Sequence, residues 1–230
     1  MLLLYNTNIL YIDIMDNTCS SLETLAIKYG LDKCLYSGCH NYIPGYTKLF
    51  CNIKQDVENI LEIGIGSLEN GQMGGVNGYL ANKTKYKTGN SLKCWEEYFP
   101  NANIYGIDMY SHQELNNNRI KTFVADQYNA DDLKNVMIAI NKKLDIIIDD
   151  GSHKGEHQVF SFIYLNNYLN KNGIYVIEDI QPENIDKFKD LSIFPKNIKE
   201  YITSNFEVVQ FDTRTTIGRI DDFMMAFKKI

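Results

Sequence analysis

The sequence predicts an α/β protein with a mostly parallel seven-stranded sheet, helices on both faces and an antiparallel edge at its C-terminal end. Apolar runs of strand length alternate with runs of helical spacing, which is typical of parallel strands connected by helices. The last two strand-like runs follow one another along the chain, and such a pair predicts an antiparallel edge. Several apolar runs end abruptly in acidic residues, which directs attention to one end of the sheet.

Each element is placed on the chain by its pattern. Strands are predicted over residues 59–63, 103–107, 119–125, 144–148, 173–177, 206–211 and 222–228. Helices are predicted over residues 20–29, 90–99, 131–141, 156–169 and most of 183–204. The segment after the first helix is predicted as a loop that contains His40, Tyr42, Pro44, Gly45 and Tyr46. The irregular stretch over residues 67–88 predicts a functional flap or a mobile segment, because loops of that length are uncommon in compact domains.

Length and charge limit the classes of protein that the chain can belong to. With 230 residues, it fits one domain with a small appendage, and we expect an N-terminal helical or lid segment over residues 1–55 and the sheet domain over residues 56–230. The formal net charge is −6, from 23 basic and 29 acidic residues. The sequence has no basic stripe, which disfavours nucleic acid as a partner.

The N-terminal stretch and the cysteines indicate a cytoplasmic protein. The apolar start lacks the basic flank and cleavage site of a signal peptide, and it is too short and too polar to span a bilayer. Either Met1 or Met15 could be the natural start. The five cysteines include no CxxC pair, so reduced thiols are favoured over a zinc site at Cys34, Cys39 and His40.

Acidic residues follow two neighbouring strands of the predicted sheet. Asp149 and Asp150 come directly after one strand, with His153 three residues beyond Asp150, and Glu178 and Asp179 come directly after the next strand. The chemistry of an open α/β sheet gathers at the carboxyl ends of its strands, so these side chains should meet in one crevice. Carboxylates that lie so close repel one another unless a cation or a proton intervenes. The pattern predicts a hard-metal site at Asp150, Glu178 and Asp179, with His153 beside it.

Both acidic motifs also have a simpler interpretation. Asp149 or Asp150 could cap the helix that follows. Glu178 and Asp179 could be a solvated strand end. The metal site is favoured because both simpler interpretations would have to be right at the same time to exclude it.

A glycine-rich turn follows the first strand, at Gly64 and Gly66. Glycine allows a backbone to approach a ligand closely at such a turn. The dinucleotide fingerprint requires a third glycine, but Glu69 stands where it would fall. Glu62, inside the strand, suits a cationic ligand better than a pyrophosphate. The turn therefore argues for a nucleotide-like ligand and against a nicotinamide cofactor.

Polar residues end the next two strands as well. Asp108 could accept both ribose hydroxyls of a nucleoside, and Asp126 with Gln127 could recognise an adenine edge. Alternatively, Asp108 could form a turn and Asp126 could cap a helix. The presence of such residues at successive strand ends favours a nucleoside site.

Several runs resemble one known family. They are TGNSLKCW at residues 88–95, YFPNANIYGID at 98–108, IDDGSH at 148–153, Glu178–Asp179 and the segment 32–50. Over about residues 20–180, the chain resembles the metal-dependent macrolide-sugar O-methyltransferases of the mycinamicin and tylosin pathways. These enzymes are a branch of the class I S-adenosylmethionine-dependent methyltransferases.

The resemblance implies a Rossmann-like methyltransferase domain that uses S-adenosyl-L-methionine and Mg²⁺. Asp150, Glu178 and Asp179 would hold Mg²⁺, and His153 would act as the general base beside Asp150. The cofactor would be lined by Glu62, Gly64, Gly66, Ser91, Asp108 and Asp126, and we add Gln127 and Asp149 at the same strand ends. The chain departs from the family in its insertion over residues 67–88, so the resemblance bears on the chemistry rather than on the acceptor.

These features lead to one main hypothesis and three alternatives. The main hypothesis is a Mg²⁺-assisted O-methyltransferase acting on a hydroxyl of a sugar, nucleotide-linked sugar or glycan precursor, in capsule or natural-product decoration. One alternative keeps the cofactor but methylates a phosphate, phosphoramidate or carboxylate oxygen. The others are a nicotinamide-dependent oxidoreductase and a binding protein without catalysis. The resemblance also allows a homo-oligomer, and His40 and Tyr42 could shape the acceptor pocket.

Overall fold

The chain folds around one seven-stranded sheet with strand order β3-β2-β1-β4-β5-β7-β6. A computed structural model describes residues 21–66 and 87–230. Strands β1 to β5 are parallel, whereas β7 is antiparallel to both β5 and β6. The predicted fold class, an α/β sheet with an antiparallel C-terminal edge, is confirmed.

The strands are β1 (Asn59–Ile63), β2 (Asn103–Asp108), β3 (Ile120–Val124), β4 (Leu144–Asp149), β5 (Leu169–Ile177), β6 (Phe206–Asp212) and β7 (Phe223–Lys229). The described helices are α1 (Ser21–Tyr29), α2 (Ile43–Phe50), α3 (Asn90–Tyr98), α4 (Ala130–Ile140), α5 (Gly155–Leu165), α6 (Pro182–Lys189), α7 (Lys196–Asn205) and α8 (Arg214–Ile217). Short 3₁₀ turns lie at Leu35–Ser37, Gln113–Leu115 and Asn166–Tyr168.

The segment predicted as a loop after α1 contains a helix, α2. Pro44 lies in its first turn, where the missing N–H costs no helical hydrogen bond. Gly45 is buried, and a Cβ at that position would lie 2.7 Å from Cε of Met224 on β7. The proline and the glycine therefore begin the helix and let it approach the sheet closely, rather than keep the segment irregular.

Two further boundaries differ from the prediction. Strand β5 begins at Leu169 rather than Gly173, because it pairs with β4 across an irregularity in register. The predicted helix over residues 183–204 is two helices, α6 and α7. Leu191 has a left-handed backbone (φ 60°) and Pro195 precedes α7, so the helix cannot continue between them.

Hydrophobic side chains pack on both faces of the sheet. One cluster joins strand residues such as Ile104 and Ile148 to Trp95 of α3. It also takes in Tyr46 and Phe50 of α2, which stack with or pack edge-on against Trp95 and each other. The second cluster covers the other face, with α4, α5, α6 and α7. The division at residue 55 stays a prediction, but the described part of the N-terminal segment, from residue 21 onward, packs into the first of these two clusters.

The remaining predictions on the chain ends and cysteines have mixed outcomes. Residues 1–20 and 67–86, including Met15 and most of the predicted flap, lie outside the described residues. Among the helices that the structure describes, none is long and apolar enough to cross a membrane. Cys34, Cys39 and Cys94 are free and buried. Cys51 takes part in a disulfide, so the expectation of reduced thiols is wrong for this residue.

Candidate active site

A cleft of ≈1080 Å³ opens where the strands β1 to β5 end. The sheet order places β1 beside β4, which is where the strand order reverses and where ligands of such folds bind. Nine of the predicted site residues line it: Gly64, Gly66, Ser91, Asp108, Asp126, Gln127, Asp150, His153 and Asp179. Three others, Glu62, Asp149 and Glu178, are buried behind this lining.

The glycine-rich turn brings two strand ends into contact. Gly64 has a φ of +89°, and a Cβ there would lie 2.1 Å from the carbonyl oxygen of Asp150. The Asp108 carboxylate accepts hydrogen bonds from the amides of Ile65 (3.0 Å) and Gly66 (3.2 Å). The turn is thus held from both sides, by the backbone that directly follows β4 and by the side chain that ends β2.

Glu62 is a buried carboxyl beneath the turn. Ser91 donates a hydrogen bond to its Oε2 at 2.7 Å, whereas Oε1 has no hydrogen-bond partner among the described residues. Burial opposes the charged form and raises the pKa of Glu62 to about 7, although the nearby Lys33 ammonium works in the opposite direction. A positively charged ligand group that reached Oε1 would satisfy it and favour the carboxylate.

Gln127 and Asp149 connect the ends of β3 and β4. Gln127 accepts a hydrogen bond from the Ser152 amide (2.7 Å) and donates to Asp149 (3.1 Å). Asp149 also accepts from Ser161 at 2.5 Å, and its burial raises its pKa. We expected Asp149 at the cofactor, but it lies below the cleft, where it holds Gln127 in place. Gln127 in turn positions the loop that carries His153.

Asp150, His153 and Asp179 converge at the cleft. Each offers one ligand atom, and these atoms all lie within 4.8 Å of one another. His153 Nε2 is 3.8 Å from Asp179 Oδ2, while His153 Nδ1 has no hydrogen-bond partner in the described part of the chain. Both His153 (φ 57°) and Asp179 (φ 50°) have left-handed backbones. Such strained residues collect at functional sites, where the surrounding structure holds them in place.

Glu178, which we predicted as a metal ligand, is not one of these three converging residues and is buried. It accepts hydrogen bonds from Tyr46 and, at 2.8 Å, from the Lys33 ammonium. Its burial raises its pKa well above the ordinary value, against the attraction of Lys33. The same ammonium contacts Asp150, so Asp150 and Glu178 are close neighbours with one cation between them.

Four residues of the N-terminal segment contact the acids: Lys33, His40, Tyr42 and Tyr46. The sequence predicted no role for Lys33 or Tyr46. Tyr42 donates to Asp179 at 2.5 Å, and His40 Nδ1 lies 3.2 Å from the same carboxylate. The segment 32–50 contains an Asp-Lys pair and two tyrosines, but their partners are distant in sequence, so only the folded structure identifies them. Tyr42 and Tyr46 have raised pKa values, first because of burial and then because of these acids.

His40 also joins the site to the C-terminal edge of the sheet. Its ring stacks on Tyr42 with centroids 5.0 Å apart, and Nδ1 is 3.1 Å from Asp222. Burial opposes the charge on His40, but the hydrogen bond to Asp222 and the charge of Asp179 outweigh it and raise the pKa of the imidazole. His40 lines the cleft, as the expectation of a pocket-shaping residue requires.

The donor set suits a hard divalent cation. Carboxylate oxygens are the ligands that Mg²⁺ prefers, and this metal keeps open positions for other oxygens. Asp150 and Asp179 supply such oxygens at the cleft surface, while Glu178 supplies a further carboxylate directly behind Asp150. The acids outnumber the adjacent cations, so the cluster has the charge to hold a divalent ion.

Curated relatives match about 70% of the chain. The 8-demethyl-8-alpha-L-rhamnosyl tetracenomycin-C 2'-O-methyltransferase of Streptomyces olivaceus is 34% identical over 160 residues, which cover 70% of this chain and 38% of that protein. The Mycinamicin VI 2''-O-methyltransferase of Micromonospora griseorubida is 31% identical over 159 residues, covering 69% and 36%. The chain thus spans less than two fifths of the length of these relatives. No protein-family model matches it.

Among solved structures, the MycE methyltransferase of the mycinamycin biosynthetic pathway, in complex with Mg and SAH, has a similar fold. The TM-score is 0.67 at 23% identity, with 90% of this chain and 54% of that chain covered. The fold of the described residues is therefore that of the class I methyltransferases. Within that class, the curated relatives confirm the resemblance to sugar O-methyltransferases of the macrolide type.

Replacing Gly64 by alanine tests the contact between the ends of β1 and β4. We expect Gly64→Ala to lower the free energy of unfolding by about 2–5 kcal/mol, because left-handed strain and overpacking against Asp150 add. Gly218→Ala is the matched control, since Gly218 has a similar φ of +75° but open space around its Cβ position. It should cost about 1–2 kcal/mol. Equal losses for the two variants in urea unfolding would contradict the proposed contact.

The raised pKa of Glu62 predicts a pH-dependent stability. Below the pKa of the unfolded state, about 4.5, Glu62 is protonated in both states and has no effect. As the pH rises to about 7, the carboxyl of the unfolded state ionises first. The free energy of unfolding therefore falls by about 3 kcal/mol relative to that of the Glu62→Gln variant. Urea unfolding of the two proteins between pH 5 and pH 8 measures this difference. A difference that stays constant with pH would mean that Glu62 ionises normally in the folded protein.

Proposed function

We propose that the protein is a Mg²⁺-dependent S-adenosylmethionine O-methyltransferase that acts on a sugar hydroxyl. The observation that carries the proposal is the convergence of Asp150, His153 and Asp179 in the same cleft as the glycine-rich turn and Asp108. A base, a hard-metal site and a nucleoside-type site therefore share one space. The curated relatives, whose names describe O-methyl transfer to glycosylated natural products, support this assignment.

The residues around the turn are suited to S-adenosylmethionine, which carries an electrophilic methyl group on a sulfonium. Gly64 and Gly66 allow close approach of the backbone. Glu62, with its free Oε1, and Ser91 lie where a positively charged amino-acid portion would be stabilised. Asp108, Asp126 and Gln127 lie at the next two strand ends, on the side of the nucleoside.

Asp150 and Asp179 would hold the metal, with Glu178 behind them. When bound, Mg²⁺ lowers the pKa of a coordinated hydroxyl and orients it. His153 stands beside both carboxylates, and an imidazole can accept the hydroxyl proton near neutral pH. Its Nδ1 and Nε2 are not used by strong hydrogen bonds within the described chain, which leaves the ring free to take that proton.

The acceptor is proposed to be a small molecule that carries a sugar, such as a nucleotide-linked sugar or a glycan precursor. A neighbouring pair of hydroxyls, common in sugars, can chelate a divalent ion that retains open positions. His40 and the Arg219–Asp221 pair line the cleft near Asp179 and add polar groups suited to hydroxyl recognition.

A methyl-transfer assay against a panel of nucleotide-linked sugars and rhamnosides tests the function. We expect turnover in the presence of Mg²⁺, its loss with EDTA and its recovery when Mg²⁺ is restored. Isothermal titration should show that S-adenosylhomocysteine still binds in EDTA, because its site lies on the glycine-turn side. Turnover that EDTA does not change would remove the metal from the proposal, and failure to bind S-adenosylhomocysteine would remove the methyltransferase assignment.

His153→Ala tests the base. Loss of a positioned general base costs about 10²–10⁴-fold in rate, so kcat should fall by that factor. Because His153 lies on the acid side of the cleft, the affinity for S-adenosylhomocysteine should stay within about twofold of the native value. An unchanged kcat would exclude His153 as the base, and a parallel loss of cofactor affinity would indicate a structural role.

A further inference from the structure

Lys33 places a buried ammonium directly in the acid cluster. Its side chain is 2% exposed, and Nζ contacts both Asp150 and, at 2.8 Å, Glu178. Lysine is rarely buried to this extent without a charged partner. Here it has two partners, and both are residues expected to hold the metal.

The local balance of charge explains why this lysine is needed. Asp150, Glu178 and Asp179 place three carboxylates within a few side-chain lengths of one another. A buried carboxylate without a compensating cation is strongly unfavourable. Hydrogen bonds from Tyr46 and Tyr42 satisfy oxygens of Glu178 and Asp179, but they bring no positive charge. Lys33 therefore compensates charge at the point where a divalent ion would also compensate it.

We propose that Lys33 is a resident cation that holds Asp150 and Glu178 together in the metal-free protein and competes with the divalent ion for them. The inference rests on the metal site of the proposed function. Its consequence is that the native protein tolerates loss of the metal but binds Mg²⁺ less tightly than the carboxylates alone would. The lysine is thus a positioning residue for the metal ligands.

The location of Lys33 couples the metal site to the N-terminal segment. Lys33 lies between α1 and α2, and the same segment sends His40, Tyr42 and Tyr46 to the acids. The Lys33 carbonyl accepts a hydrogen bond from the amide of Tyr42 (2.9 Å), so the segment is folded back on itself around the lysine. A change in the contacts of the Lys33 ammonium would therefore alter the positions of the residues that cover the acid cluster.

Lys33→Met, which keeps the apolar stem and removes the charge, tests the proposal by two readouts that do not depend on turnover. In EDTA, its melting temperature should fall by about 6–20 °C, because the buried carboxylate of Glu178 and the half-buried carboxylate of Asp150 lose their cation. By isothermal titration, its Kd for Mg²⁺ should fall about tenfold or more, because a competing like charge is gone. Saturating Mg²⁺ should therefore raise the melting temperature of the variant more than that of the native protein.

Lys28→Met is the matched control. Lys28 lies five residues earlier, in an exposed ion pair with Glu97, and its side chain is 53% exposed. An exposed pair contributes little to stability, so this variant should melt within about 4 °C of the native protein. Its affinity for Mg²⁺ should be unchanged, since it does not touch the acid cluster.

The outcomes separate this inference from the proposed function. An unchanged or weaker affinity of Lys33→Met for Mg²⁺, with normal binding by the native protein, overturns the role of Lys33 alone. Absence of Mg²⁺ binding in both proteins overturns the metal site and the inference with it. If Lys33→Met does not fold in EDTA, refolding in excess Mg²⁺ should recover it. Failure to recover both Lys33→Met and Lys33→Gln in this way also overturns the inference.

Discussion

The structure depends on the burial of carboxylates at the ends of β4 and β5, and on the groups that make this burial tolerable. Glu178 is 1% exposed and Asp179 8% exposed, so neither can rely on water to stabilise its charge. Each must find donors within the protein, and these donors come from the N-terminal segment rather than from the sheet. The acids of the sheet and the segment that covers them are therefore one physical unit.

The backbone holds this unit in place with little freedom. Gly64 lets the end of β1 contact the end of β4. Gly151 likewise lets the side chain of Gln127 approach the backbone closely, since a Cβ at Gly151 would lie 2.1 Å from Oε1 of Gln127. His153 and Asp179 have strained, left-handed backbones at their positions. Such strain persists only where the neighbouring contacts outweigh it, and here the contacts are hydrogen bonds and packing between successive strand ends. In a site built in this way, the side chains that would bind an ion or a small molecule are already in position before binding.

Local patterns predicted the sheet, and local patterns together with the family resemblance predicted twelve site residues, nine of which line the cleft. Apolar runs that end in acids identify strand ends, and parallel strands bring those ends to the same edge. Three features required contacts that no local pattern contains. Lys33 meets Asp150 and Glu178 across 117 and 145 positions of sequence. Helix α2 accommodates Gly45 because Gly45 packs on the sheet, and Asp149 lies below the cleft because Gln127 and Ser161 use its carboxylate.

The part of the cleft beside Asp179 is built differently from the rest. Its residues come from the N-terminal segment and from the turn before β7, and His40 joins the two through Asp222 (3.1 Å). The amide of Asn41 contacts the same carboxylate at 3.3 Å. Neither segment belongs to the parallel strands that carry the glycine turn and the acids. Substitutions in these two segments would therefore change this part of the cleft without disturbing the strand ends. The proposed chemistry and the proposed acceptor thus depend on different parts of the chain.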